Sequence, residues 1–378
     1  MIFLDNASTT RINKQVNDLI YSTNQDDFYN PSALYEPSIK VKDKIENAKQ
    51  TIGNILNIEP DNIIFTSGAT ESNNTAIKGF LTSNKNAEYI FSEGEHPSVY
   101  EVASQLKNLG YKVNFAKLNT DGTLDLDHFK RLLNNNTHFV SVMHVSNETG
   151  AINNIKEIVA LARNANPNVI FHCDGVQAVG KIKINIKDLG VDLYTLSSHK
   201  FHGPKGVGLL YVKNLNKFKP FILGGGQQQS RRSGTENISG ILATALALKL
   251  ATINIEENFK QVESFRNIFI EKISKNLTSY KINQSNNNSP YVLSVSFKNL
   301  KGEVILHMLE DYGILIGTGS ACSSKKSNNR TLQNMKVEKS YILGSIRISF
   351  SNDNTLQEIE FASDKLIDVV KELSQKVA

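Results

Sequence analysis

Apolar positions along this chain change period repeatedly, and the changes mark out its elements. From residue 36 to 57, Val41, Ile45, Ala48, Ile52, Ile55 and Leu56 recur at helical spacing, which predicts one amphipathic helix buried along a single face. The β-branched run 63–66 reads as a strand, and a Ser-Gly-Ala-Thr turn leads from it into a helix beginning near Glu71. Strand-like and helix-like runs then alternate. Strands are predicted at 88–92, 111–116, 138–145, 168–174 and 192–197, and helices at 97–109, 125–133 and 155–164. This rhythm predicts an α/β fold whose large domain has a mixed, mostly parallel sheet flanked by helices. From 236 to about 275 helix-compatible sequence runs almost unbroken, longer than one average core helix, and reads as a bridge to a second unit. Strands at 291–297, 314–316 and 346–350, with helices at 303–312 and 356–373, make that unit a smaller α+β domain.

Composition narrows the class. At 378 residues, with 40% apolar and 21% charged side chains, the chain is long enough for two cores and too apolar to be disordered. Lys and Arg outnumber Asp and Glu by 42 to 37, but they are scattered, so the charge does not point to nucleic acid; it suits an anionic cofactor. No window approaches the roughly 18 apolar residues of a membrane span. The opening MIFLDNASTT lacks the basic-then-apolar order of a signal peptide, so a cytoplasmic location is expected. Two cysteines, Cys173 and Cys322, build neither a disulfide framework nor a four-ligand zinc site, and no metal is expected.

In α/β folds ligands collect where strands end, and the polar clusters of this chain fall there: SGAT, GEHPS, HVSNETG, HCDGVQ and SSHK. Lys200 closes a strand beside hydroxyls and a histidine, a setting for a lysine that forms an imine with an aldehyde; a solvated loop lysine is the competing reading. The turn before Glu71 leaves backbone N–H groups at a helix start, where an anion is favoured, although it is not a P-loop. Asp174 ends its strand and can pair with a protonated ring nitrogen or cap the next segment. His96 is placed to stack on a flat ring or move a proton. Arg347, in the alternating run SIRISF, suits a carboxylate or faces solvent. Cys322 lies among small residues with Lys325 and Lys326 following, where a thiol loses its proton readily, whereas Cys173 sits in an apolar strand. GGGQQQSRRSGTEN, 224–237, offers a second phosphate contact, and the polar opening LDNASTT suits a turn near a polar site with its role open.

Taken in order, TSGATES, EHPS, HVSNETG, HCDGVQAVG, SSHKFHGPKGVG, RRSGTEN, GSACSS and SIRISFS resemble the cysteine desulfurases, pyridoxal-phosphate enzymes of the class V aminotransferase family with fold type I. The resemblance covers nearly the whole chain. It implies a large cofactor-binding domain over 14–258 and a small domain over 1–13 and 259–378 that carries the cysteine loop. It implies Lys200 as the imine-forming lysine, Asp174 beneath the pyridine nitrogen, Gln177 on the phenolic oxygen and His96 on the ring face. Ala69, Thr70, Ser197 and His199 would hold the phosphate, with Ser198 in the same turn, and Thr235 would reach the phosphate of a second subunit, implying a homodimer.

Asn147 and Arg347 would hold the substrate side. Cys322 would accept sulfur from L-cysteine, leaving alanine and a persulfide for an acceptor protein, an iron–sulfur scaffold or a tRNA-thiolation enzyme. A selenocysteine lyase or another class V transaminase-like member is the nearest rival enzyme, and a catalytically silent sulfur-trafficking scaffold the rival of another class. The chain departs from the family pattern where Asn30, Pro31, Ser32, Ala33 and Leu34 are followed by Tyr35 rather than histidine, which puts that histidine's role in doubt.

Overall fold

The structure, a computed structural model, describes residues 1–318 and 329–377. Seven strands form the larger sheet: β2 (Ile63–Thr66), β3 (Glu88–Ser92), β4 (Lys112–Ala116), β5 (Thr137–Ser141), β6 (Ile170–Asp174), β7 (Leu193–Ser197) and β8 (Gly208–Val212), in the order β2-β8-β7-β6-β5-β3-β4. Only β8 runs antiparallel to its neighbours, β2 and β7. Each strand alternates its side chains between two cores. Phe65, Ile90, Val140, Phe171 and Leu196 join one face, and Ile64, Phe91, Phe139, Ile170 and Leu193 the other. Both faces are therefore covered by helices, including α1 (Lys14–Asp26), α2 (Glu36–Leu56), α3 (Ala69–Gly79), α4 (Pro97–Asn108), α5 (Leu126–Leu132) and α6 (Ile155–Ala165).

A second sheet, in the order β1-β11-β12-β10-β9, is built from β1 (Ile2–Leu4), β9 (Tyr280–Ile282), β10 (Val292–Phe297), β11 (Ile314–Thr318) and β12 (Ser345–Ser349). Its core gathers Leu4, Phe269, Leu293, Ile346 and Ile348 with the helix Leu356–Val377. The chain's first strand thus belongs to the last sheet, pairing in parallel with β11. Between β1 and α1 the backbone crosses to the end of β7, where Thr10 donates its N–H to the His199 carbonyl at 2.9 Å.

Three features differ from the sequence expectations. The helical bridge is two helices, Ile238–Ile253 and Ile255–Asn276, bent by 70° at Asn254. The first packs on α1 and α2, the second on the C-terminal helix. Strand β8 is an unbroken apolar run without alternation because both its faces are buried, so no period announced it. Helix α1 buries only Val16 and Thr23, too thin a stripe to stand out from polar loop sequence.

Candidate active site

The C-terminal ends of β2, β3, β5, β6 and β7 converge, and each carries one of the predicted groups. Lys200 ends the single 3-10 turn Ser198–Lys200 that follows β7. Its Nζ donates to the carbonyls of Ala7 at 2.7 Å and Ser8 at 2.6 Å, so the crossing segment from β1 lies over it. Gln177 is buried and donates from Nε2 to the same Ala7 carbonyl at 2.8 Å. His199 shares its Nδ1 with the Thr9 hydroxyl at 3.1 Å. Burial, with Lys200, Lys205 and Lys181 nearby, holds the His199 imidazole near 4, so it is neutral at neutral pH.

Asp174 is buried at the end of β6, and its carboxylate accepts from Asn73 Nδ2 at 2.8 Å and from the Val176 N–H at 3.0 Å. Asn73 also donates to the Ser98 hydroxyl at 2.9 Å, and that hydroxyl lies 2.8 Å from His96 Nδ1. Asp174, Asn73, Ser98 and His96 therefore form one connected network. His96 caps α4, and burial lowers its pKa; Lys200, Arg330 and Arg347 push the same way against Asp174, which places those charges around one imidazole.

At the rim, Arg347 of β12 is buried rather than solvent-facing. Its Nη1 donates to the Asn147 carbonyl at 3.0 Å and its Nη2 to Asp5 at 2.9 Å, while its buried Nε has no partner among the described residues. Asn147 donates its own amide to Glu148 at 2.9 Å. The Arg347 edge is thus a donor in want of an acceptor.

Gly68 opens α3, and a Cβ built there meets nothing within 4 Å. The first-turn N–H groups of Ala69 and Thr70 have no intrahelical acceptor and lie at the positive end of an 11-residue helix. Ser197 closes β7 nearby in sequence to the Lys200 turn. Ser198 is turned away, its buried hydroxyl accepting from Thr244 at 3.0 Å. Thr235 is exposed and outside the cluster. Cys322 lies outside the described residues. Cys173 is buried, and burial raises its thiol pKa well above the ordinary value, as expected for a packed core residue.

Several groups here were not singled out in the sequence. Asn73 looks like any polar residue inside a helix. Glu95 is buried, and burial together with Asp174 raises its carboxyl to about 8, so it is protonated at neutral pH. Lys181 is buried against Gln177, and Asp5 holds Arg347. The polar opening LDNASTT was the one available signal, since its backbone supplies the Ala7 and Ser8 carbonyls.

The donor set suits a phosphorylated pyridine aldehyde: an amine, a buried carboxylate for the ring nitrogen, and an open helix N-terminus for the phosphate. The description "Aminotransferase class-V" matches residues 2–361. The chain belongs to the class-V aminotransferase family. A cysteine desulfurase IscS from Dictyoglomus turgidum is 35% identical over 98% of this chain and 95% of its own length. A solved NifS-like protein superposes with a TM-score of 0.92 at 30% identity, covering 98% of this chain and 99% of that one. A structure described as SspA in complex with cysteine gives a TM-score of 0.81 at 27% identity, over 94% and 100% of the two chains. Family and fold together are those of the cysteine desulfurases with fold type I architecture, and pyridoxal 5'-phosphate is the cofactor.

Proposed function

We propose that this chain is a cysteine desulfurase that takes sulfur from L-cysteine onto Cys322 and releases L-alanine. The observation that supports this most is the meeting of Lys200, Asp174, Gln177 and the unsatisfied Arg347 edge at the sheet's C-terminal side. Ala69, Thr70, Ser197 and His199 would hold the phosphate, Gln177 the phenolic oxygen, Asp174 the ring nitrogen and His96 the ring face. When bound, pyridoxal phosphate supplies an electron sink for the carbon that loses its proton.

The chain's own residues do the rest. Lys200, once free of its tether, is the base that takes the α-proton and later returns it to carbon. Asp174, held in place by Asn73 and the Val176 N–H, would pair with the protonated ring nitrogen. The Arg347 Nε, beside Asn147, takes the substrate carboxylate. The Cys322 thiolate attacks the substrate sulfur: the carbon–sulfur bond breaks, a sulfur–sulfur bond forms, and the carbon skeleton leaves as alanine after protonation.

Two domains, 14–258 and 1–13 with 259–378, would carry these parts, the second bringing Arg347 and Cys322. Thr235 would act on the site of a second subunit in a homodimer. An acceptor protein, an iron–sulfur scaffold or a tRNA-thiolation enzyme, would then take the persulfide sulfur. A cytoplasmic location belongs to the same proposal; no single helix of the described residues is long and apolar enough to cross a membrane. The test is to supply L-cysteine and a reductant to the purified holoprotein. Alanine and sulfide should form in equal amounts, and Cys322→Ser should lose sulfide release. Full sulfide release by Cys322→Ser, or a visible band that survives Lys200→Ala, would sink the reading.

A further inference from the structure

Lys181 places an amine in the interior, only 5% exposed, four residues beyond Gln177. Among the described residues no carboxylate lies within ion-pair distance of it. Its Nζ donates to Gln177 Oε1 at 2.6 Å and lies 5.8 Å from the centre of the Tyr291 ring. The same residue borders a cavity of about 480 Å³ that includes Asn6, Thr10, His202 and Asp353. The Asp353 carboxylate there is engaged with His202 at 3.4 Å.

A lysine amine in its charged form donates and never accepts, so only the oxygen of the Gln177 amide can face it. That leaves Nε2 pointing the other way, at the Ala7 carbonyl it shares with Lys200. The amide of Gln177 has two possible orientations, and Lys181 on one side and the Ala7 carbonyl on the other select the same one.

We propose that Lys181 is a positioning residue that acts through Gln177: by engaging the amide oxygen it commits both amide N–H bonds to the cleft. One goes to the Ala7 carbonyl beside Lys200, and the second is left for the phenolic oxygen of the bound cofactor. The inference rests on the desulfurase reading of the site. Without Lys181 only the Ala7 carbonyl holds that orientation, and the buried amide oxygen loses its donor.

The electrostatic consequence runs in the same direction. Lys200, Arg347, His199 and the Tyr291 ring are the titratable or charged groups that interact with Lys181, and among the described residues no acid offsets them. Burial, with Lys200 and Arg347, brings Lys181 down to about 7, so it is partly charged at neutral pH. Removing it takes positive charge away from Lys200 and an N–H donor away from the phenolic oxygen. Both changes favour the protonated form of the Lys200-linked chromophore.

The test reads the holoenzyme by absorbance. Lys181→Met should raise the pH midpoint of the Lys200-dependent visible band by about 0.5–1 unit and weaken pyridoxal phosphate binding about tenfold. Lys181→Arg, which keeps a charged donor, should recover most of the midpoint, and Lys181→Gln replaces the Met variant where that does not fold. Combined with Gln177→Ala, the loss of Lys181 should add almost nothing to the loss of cofactor binding, because that effect passes through the amide, while the midpoint keeps only the part due to the removed charge. A folded variant whose midpoint is unmoved, or losses of cofactor binding that add in the double variant, overturns the proposal. A band that persists in Lys200→Ala condemns the site reading; a band that needs Lys200 but ignores Lys181 condemns only this inference.

Discussion

Asp174 is held from two sides, and the side-chain half of that hold comes from a residue no sequence pattern marks. Asn73 donates to the carboxylate from the middle of α3. Replacing it with alanine leaves a buried carboxylate short of a donor, and a hydrogen bond to a charged group is worth about 1.5–3 kcal/mol. Asn73→Ala should therefore bind pyridoxal phosphate roughly 10–100-fold more weakly while remaining folded, as followed by absorbance titration; unchanged binding would show that the Val176 N–H suffices. Lys200 and Asp174 were legible as candidates because each ends a strand in a polar cluster. Asn73 and Glu95 were not, since a polar residue in a helix or loop carries no sign of the burial that gives it a role.

At the scale of elements, the cradle at the start of α3 depends on how closely β8 approaches the turn before it. A Cβ on Gly208 would come within 2.5 Å of the Gly68 carbonyl carbon and 2.6 Å of its Cα, both backbone atoms that no rotamer change can move. Gly208→Ala must then displace the β2–α3 turn. The expected outcome is a loss of about 1–3 kcal/mol in urea unfolding together with weaker cofactor retention and weaker competition by inorganic phosphate. Normal phosphate competition in a destabilised variant would show that the cradle does not sense β8.

Gly208 also explains what the sequence concealed. Elements whose period is visible, such as α2 and β3, are legible in the sequence, whereas β8, which follows the Gly-Pro turn, is not. The bridge between the sheets was recognised from its length, but its break was hidden. Asn254 interrupts the helix without glycine or proline, and only the separate packing of the two halves shows the bend.

In the whole molecule Arg347 reaches from β12 to the Asn147 carbonyl beyond β5 while its other nitrogen holds Asp5. A lysine there keeps the charge but loses the fork and the Nε edge. Arg347→Lys should raise the KM for L-cysteine by about 10–100-fold with the Lys200-dependent band unchanged; equal losses in kcat and KM behaviour would place Arg347 elsewhere in the cycle.

The same interior makes global stability depend on pH in a definite direction. Burial holds His144 and His172 near 4 against an ordinary 6.5, so the unfolded chain binds more protons between those limits and stability falls as pH drops from about 6.5 to 4. His199, nearer to water, adds less in the same sense. Glu95 opposes them. Its folded value of about 8 against 4.5 makes the native state the better proton acceptor, so its contribution is present at low pH and lost as pH rises from 4.5 to 8. Two histidines against one carboxyl leave a net fall of about 1.4 kcal/mol per pH unit or more on acidification between 6.5 and 4.5. Urea midpoints measured at pH 5 and pH 6.5 should differ accordingly. Glu95→Gln removes the opposing group, so the same interval should become roughly twice as steep. A flat profile, or a Glu95→Gln slope equal to the parent's, would mean that these side chains exchange protons with water as they do in the unfolded chain.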